Sequence, residues 1–167
     1  MTAERSAALW ILLSKIHGDV RANASIYREH FMPSLRLNQV TLATKDMAAS
    51  ILFYESLGLT VIVDSAPRYV RLEFPDDGNG TQATLSLHAA QSDFKPSPDA
   101  PLIYFEVDDV EAFLTEKDLT PLTTPEMKSY LWFEADIEDP SGNRIRIYTA
   151  GKNRRFPPWR VGSEPTQ

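Results

Sequence analysis

The stretch LNQVTLATKDMAASILFYESLGL, residues 37–59, decides the fold. Its first part, within RLNQVTLAT (36–44), alternates apolar and polar residues and reads as a strand. Asp46 then stands where a helix needs an N-cap acceptor. DMAASILFYESLG (46–58) follows, with Met47, Ile51, Tyr54 and Leu57 on one face and Gly58 just past the last turn. A strand passing through a capped turn into a helix with a glycine stop is one βα unit.

Downstream the pattern continues in strands. LTVIVDS (59–65) and YVRLEF (69–74) flank a Pro-containing turn, PDDGNG (75–80) is a turn cluster, and TQATLSLHA (81–89) is another strand. QSDFKPSPDAP (91–101) reads as a polar, Pro-rich linker. Then the order repeats. PLIYFEVD (101–108) is a strand and DVEAFLTEKD (109–118) a helix capped by Asp108 or Asp109. LTPLTT (119–124) is a short extended piece and SYLWFEADIE (129–138) a strand. DPSGN forms a turn, and RIRIYT (144–149) is the last strand. Matching NQVTLATKDM to PLIYFEVDDV, and TLSLHA to RIRIYT, makes Gln39 equivalent to Leu102 and Ser86 to Arg146. Each unit reads β-α-β-β-β.

Successive side chains on a strand point to opposite faces. One face of these strands carries Val40, Leu42, Leu85, Leu87, Ile103, Phe105, Val107, Ile145 and Ile147, and is expected to bury against the helices. The other carries Gln39, Thr41, Thr84, Ser86, His88, Tyr104, Glu106, Arg144, Arg146 and Tyr148. If the two sheets curl toward one another, this second face lines a polar cleft with aromatic walls from Tyr104, Tyr148 and Trp132.

Upstream, residues 1–33 have no clear period. ALWILLSKI and RANASIYREHF fit either one or two docked helices or an extension outside the folded domain. AALWILL (7–13) is too short to span a bilayer and has almost no basic residues before it, so a membrane location is not expected and the chain is read as cytoplasmic by default. With 17 Lys and Arg against 23 Asp and Glu, the net charge of −6 argues against a nucleic-acid surface. The chain has no cysteine, which removes thiolate metal sites and a cysteine nucleophile. The tail from 151 to 167 contains KNRRFPPWR. Its arginines, with Phe156 and Trp159, are expected to pack on the domain or a partner subunit rather than on nucleic acid.

The 37–59 stretch closely resembles the first strand and helix of the vicinal oxygen chelate superfamily, which includes glyoxalase I, bleomycin-resistance proteins, extradiol dioxygenases and fosfomycin-resistance enzymes. The resemblance rests on Asp46-Met47, Phe53-Tyr54 and Leu57-Gly58-Leu59, then on YFEVDDVEAF and the DPSGN turn, and covers about residues 35–150. It implies an α+β fold of two βαβββ modules, 34–90 and 101–150, forming an open, mixed, barrel-like cleft. It also implies dimerisation. The superfamily's metalloenzymes place one ligand on each of four strands. Carried over by position, these fall on Gln39, Ser86, Leu102 and Arg146. Leu102 is no ligand, Ser86 is a poor one, and Arg146 brings a positive charge where a dication needs carboxylates and imidazoles. The expectation is therefore a cleft with no metal and no cofactor. A shifted site at Gln39, His88 and Glu106 is the alternative.

The candidate ligand-binding residues are Gln39, Thr41, Ser86, His88, Tyr104, Glu106, Trp132, Arg146 and Tyr148. Glu106 and His88 are the candidate catalytic bases. Arg146 has three readings: an internal ion pair with Glu106 or Glu134, an anchor for an anionic ligand, or exposure to solvent. The leading function is binding of a polar or anionic small organic molecule. A glyoxalase-like lyase or isomerase, and a structural or regulatory module whose cleft is filled by an Arg146–Glu106 pair, are the alternatives.

Overall fold

A computed structural model describes residues 37–76, 78, 83–97 and 99–161. The readings for residues 1–33 and for the last part of the tail lie outside the described residues. The described secondary structure falls in one unit, Asn38–Gln167.

The first module is β1 (Gln39–Thr44), α1 (Met47–Ser56), β2 (Thr60–Ser65), β3 (Tyr69–Glu73) and β4 (Thr84–Ala89). The second is β5 (Ile103–Glu106), α2 (Val110–Glu116), β6 (Glu126–Met127), β7 (Phe133–Glu138) and β8 (Arg144–Thr149), followed by a 3-10 turn at Gly151–Arg154. Each forms a four-stranded sheet, in the orders β1-β4-β3-β2 and β5-β8-β7-β6. In both, the first strand runs parallel to the last and the remaining pairs are antiparallel. The sheets do not close into a barrel; β1 and β5 are each a terminal strand. The repeat holds at the level of register. Thr41 lies opposite Ser86 in the first sheet, and Tyr104 lies opposite Arg146 in the second.

The helices begin where their caps dictate. Asp46 accepts from the Ala49 amide at 3.0 Å and Asp109, rather than Asp108, from the Ala112 amide at 2.9 Å. Gly58 follows α1 with φ +106°, a left-handed value that favours glycine. The buried face of α1 is Met47, Ser50, Tyr54 and the cap residue Leu57, with Ile51 half-buried. The apolar strand face forms the core as the alternation predicts. Val70, Leu72, Leu85, Leu87, Ile145 and Ile147 are essentially inaccessible, and burying each such side chain contributes about 1.5–3 kcal/mol. Phe74 and Phe105 meet edge to face at 5.0 Å, joining the core across the two modules.

Two boundaries differ from the sequence reading. No strand forms at 119–124. Pro121 and Pro125 cannot donate to a ladder, and the segment makes only isolated bonds to β7: Leu122 N–H to the Asp136 carbonyl at 2.7 Å and the Asp136 N–H to Thr123 Oγ1 at 2.9 Å. The short partner strand is β6 at Glu126–Met127 instead. The strand read at 129–138 starts only at Phe133, because Lys128–Trp132 forms a turn in which Leu131 has φ +65°. Trp132 therefore precedes the strand.

The modules are tied together at the DPSGN turn. Asp139 is buried and gathers four donors: the Ser141 and Asn143 amides, the Asn143 side chain, and the Tyr54 hydroxyl from α1 at 2.9 Å. Burial, and then the adjacent Asp139 carboxylate, push the Tyr54 phenol far above its ordinary pKa, so it stays a donor. Ser141 hydrogen-bonds Thr44 and accepts from the Lys45 amide. The Asn143 side chain donates to the Ala43 carbonyl.

Candidate functional site

A cavity of about 1050 Å³ opens between β1, the linker and the start of β8. That volume is at the upper end of the range that holds small organic molecules. Its charged lining is Lys45, Lys95, Arg144 and Arg146 against one carboxylate, Glu138. Of the residues chosen from sequence, the cavity brings together Thr41, His88 and Arg146. It does not reach Gln39, Ser86, Tyr104, Glu106, Trp132 or Tyr148.

Arg146 is engaged from within. Its Nε donates to Asp136 Oδ1 at 2.7 Å, one Nη to Asp136 Oδ2 at 3.2 Å, and the other meets Glu134 Oε1 at 2.7 Å. Arg144 also donates to Asp136. Asp136 is 1% exposed and Glu134 2%. The register explains the cluster: Asp136 lies directly opposite Arg146, Glu138 opposite Arg144, and Glu134 opposite Tyr148. Hydrogen bonds to Asp136 raise the Arg146 pKa still further above its ordinary value, so the guanidinium is permanently charged. Burial raises the Asp136 carboxyl, but the hydrogen bonds from Arg146 and then Arg144 outweigh it, and the net shift is downward. This corrects the partner assignment in one respect. Glu134 is a partner of Arg146, as one reading had it, but Glu106 is not. Glu106 pairs with Arg154 of the tail at 3.0 Å, so the pair proposed to fill the cleft, Arg146–Glu106, does not form.

Aromatic rings surround this cluster. Tyr104 lies 5.5 Å under the Arg146 guanidinium and packs edge-on to both Trp132 and Tyr148, which stack on each other at 4.7 Å. Tyr130 donates to Glu134 Oε1 at 2.6 Å. Burial, then the bond to Glu134, push the Tyr130 phenol up to about 12. Glu134 Oε2 is buried with no hydrogen-bond partner among the described residues.

The polar face of the first sheet is built differently. Ser86 is fully buried beneath Tyr69, whose hydroxyl it meets at 2.8 Å. Arg71 Nε donates to the same Tyr69 oxygen at 2.9 Å. Gln39 and His88 are exposed. Sequence reasoning missed Tyr69, Arg71 and Asp136. Asp136 was findable, because counting outward from the DPSGN turn sets the β7–β8 register. Arg71 was harder to find, because the longer β3–β4 connection, with its PDDGNG turn cluster, does not fix the pairing register by counting.

The sequence profile of the Glyoxalase/Bleomycin resistance protein/Dioxygenase superfamily matches residues 36–147. The chain belongs to this superfamily. It is similar to a crystal structure of a glyoxalase/bleomycin resistance protein/dioxygenase family enzyme from Burkholderia phytofirmans PsJN, with 25% identity and TM-score 0.56 over 70% of this chain and 99% of that one. It is also similar to a lactoylglutathione lyase from Agrobacterium tumefaciens (17% identity, TM-score 0.56, covering 74% and 99%). A bleomycin-binding protein complexed with bleomycin is a further match (19% identity, TM-score 0.53, covering 70% and 98%). At the last two identities the likeness is one of fold. No curated protein matches the sequence.

The metal that the resemblance implies does not fit the described residues at the carried-over positions. Among the described residues no group of three or more His, Asp or Glu is placed to hold an ion. At the carried-over positions, Ser86 is bound to Tyr69, Leu102 has no donor atom, and Arg146 is a cation held by two carboxylates. At the shifted alternative, Glu106 pairs with Arg154 at 3.0 Å and His88 Nδ1 lies 3.1 Å from the Ala89 carbonyl oxygen. Among the described residues, no helix is long and apolar enough to cross a membrane.

Proposed function

We propose that the protein binds a small organic anion, without a metal, in the cavity between β1, the linker and β8. The observation that carries this is the charge of the lining: four cationic side chains to one carboxylate in a chain of net charge −6. Arg144 and Arg146 are already balanced by Asp136 and Glu134. The unbalanced charge sits on Lys45 and Lys95, which make no ion pair among the described residues. Thr41 and the DPSGN residues Ser141 and Asn143 add polar groups, while Val40, Leu42, Phe94 and Ile103 give apolar surface. This division suits a molecule with an apolar body and a carboxylate or phosphate. The superfamily's bleomycin-binding member supports small-molecule binding as a role for the fold.

The test is thermal unfolding of the full chain against aromatic carboxylates, aliphatic carboxylates and phosphate monoesters, with neutral and cationic analogues of matching shape. A binder present at 100 times its dissociation constant adds about 2.7 kcal/mol. We expect stabilisation by anions, weakened by salt and by replacing Lys45 and Lys95 with Gln. Equal stabilisation by the neutral analogues, or stabilisation by the cationic ones alone, would overturn the reading.

A further inference from the structure

We infer that Arg71, on the polar face of the first sheet, is a second oxyanion-binding site, for carboxylate or phosphate. Arg71 sits in β3 directly opposite Ser86, which in turn lies opposite Thr41 of β1, so the three form one row across the sheet. Tyr69 and His88 form the next row. Arg71 is half-buried and spends only its Nε, on the Tyr69 hydroxyl. Both Nη groups make no ion pair or hydrogen bond among the described residues. A guanidinium held by Nε with two free Nη groups is arranged for two parallel bonds to one oxyanion.

The surroundings are built to hold that geometry. Tyr69 is fixed by two contacts, to Arg71 and to the fully buried Ser86, and its ring lies 5.8 Å from the Arg71 carbon. The hydrogen bond shared with Ser86, and then Arg71, lower the Tyr69 phenol's pKa against a burial effect that raises it. Arg146, at the position equivalent to Ser86, offers the opposite case. Its Nε and both Nη groups are taken by Asp136 and Glu134. Other charged and titratable groups on the Arg71 face are His88, across from Tyr69, and Glu73, two residues along β3 and opposite Thr84. Glu73 makes no ion pair with Arg71. It opposes anion binding from one side, so the site is expected to be weak for a bare ion. The inference does not rest on the cavity reading, since neither Arg71 nor Tyr69 lines the cavity, although Thr41 and His88 of the same rows do.

The test is NMR of the arginine side chains in the full chain, titrated with inorganic phosphate and separately with acetate, against sodium chloride at equal ionic strength. We expect saturable shifts of the Arg71 Nε–H signal and little movement of Arg146. Glu73→Gln should tighten binding several-fold, and Arg71→Met should weaken it about tenfold or more, which corresponds to about 1.4 kcal/mol. If Arg71→Met does not fold, Arg71→Lys serves, since an ammonium offers no fork; it should still weaken binding severalfold. Response to phosphate alone assigns a phosphate site, and to both ions a general oxyanion site. No response beyond that of chloride, or unchanged affinity in either variant, would overturn the inference. Shifts confined to Lys45 and Lys95 neighbours would do the same while leaving the cavity reading intact.

Discussion

The two sheets of this protein share a topology and a register but put opposite chemistry on their polar faces. In the second sheet, two arginines face two buried carboxylates, and aromatic rings cover them. In the first, one guanidinium faces hydroxyls and, among the described residues, no carboxylate within ion-pairing distance. A charge that is paired and desolvated is a structural element, because any outside ligand must displace a partner that is already in place. A charge held only by neutral groups keeps its capacity for a ligand. The difference shows that the repeat conserves backbone geometry while leaving each face free to specialise.

The sharpest way to break this comparison is to remove one guanidinium from each face. Arg146→Met leaves Glu134 buried without its cation and Asp136 with Arg144 alone, and should cost about 3–5 kcal/mol in urea unfolding. Arg71→Met removes no ion pair and should cost less than about 1 kcal/mol. Equal costs would mean that Arg71 is also structural. Next in size is the junction between the modules. Tyr54→Phe deletes a donor to the buried Asp139 carboxylate and should cost about 1.5–3 kcal/mol. Gly142→Ala in the same turn places a methyl 2.9 Å from Pro96 Cγ at φ +89°, and should cost about 1–2 kcal/mol by the left-handed penalty alone.

Acid titration separates the faces without mutation. Asp136 has its pKa depressed in the folded state. Its contribution is therefore fully present above the ordinary aspartate range, near pH 4, and is lost as pH falls below it. Wild type should lose stability over that window, and Asp136→Asn should show a flatter profile. The smallest effect belongs to Leu131, which holds φ +65° in the turn before β7. Leu131→Gly should change unfolding free energy by about 0.5–1 kcal/mol in the stabilising direction, by relieving the left-handed penalty.

Much of the fold was legible because alternation and capping are local signals. Val40, Leu42, Leu85, Leu87, Ile145 and Ile147 fall on the core face as their spacing requires, and Asp46 and Asp109 cap the helices that follow them. The shared register of Thr41–Ser86 and Tyr104–Arg146 followed from the internal repeat. The site was less legible, because it depends on which side chains meet across strands. Arg146 stood out as an unusual residue on a cleft-facing strand, but its partner depended on pairing with β7. Glu106 looked equally close in sequence pattern, and the tail residue Arg154 claimed it instead. Trp132 was placed on a strand because the apolar run around it continues into β7, whereas the Leu131 turn interrupts the ladder.

On the function proposed above, the cleft works without a metal, because an arginine held by two carboxylates stands at one position where the resemblance places a ligand. The most direct measurement is elemental analysis of the purified chain, followed by chelation, re-addition of Ni(II), Zn(II), Mn(II) and Fe(II), and thermal unfolding with each. We expect no stoichiometric metal and no stabilisation by any of the four ions. A tightly held metal near one equivalent per chain, with a raised unfolding temperature on re-addition, would contradict it.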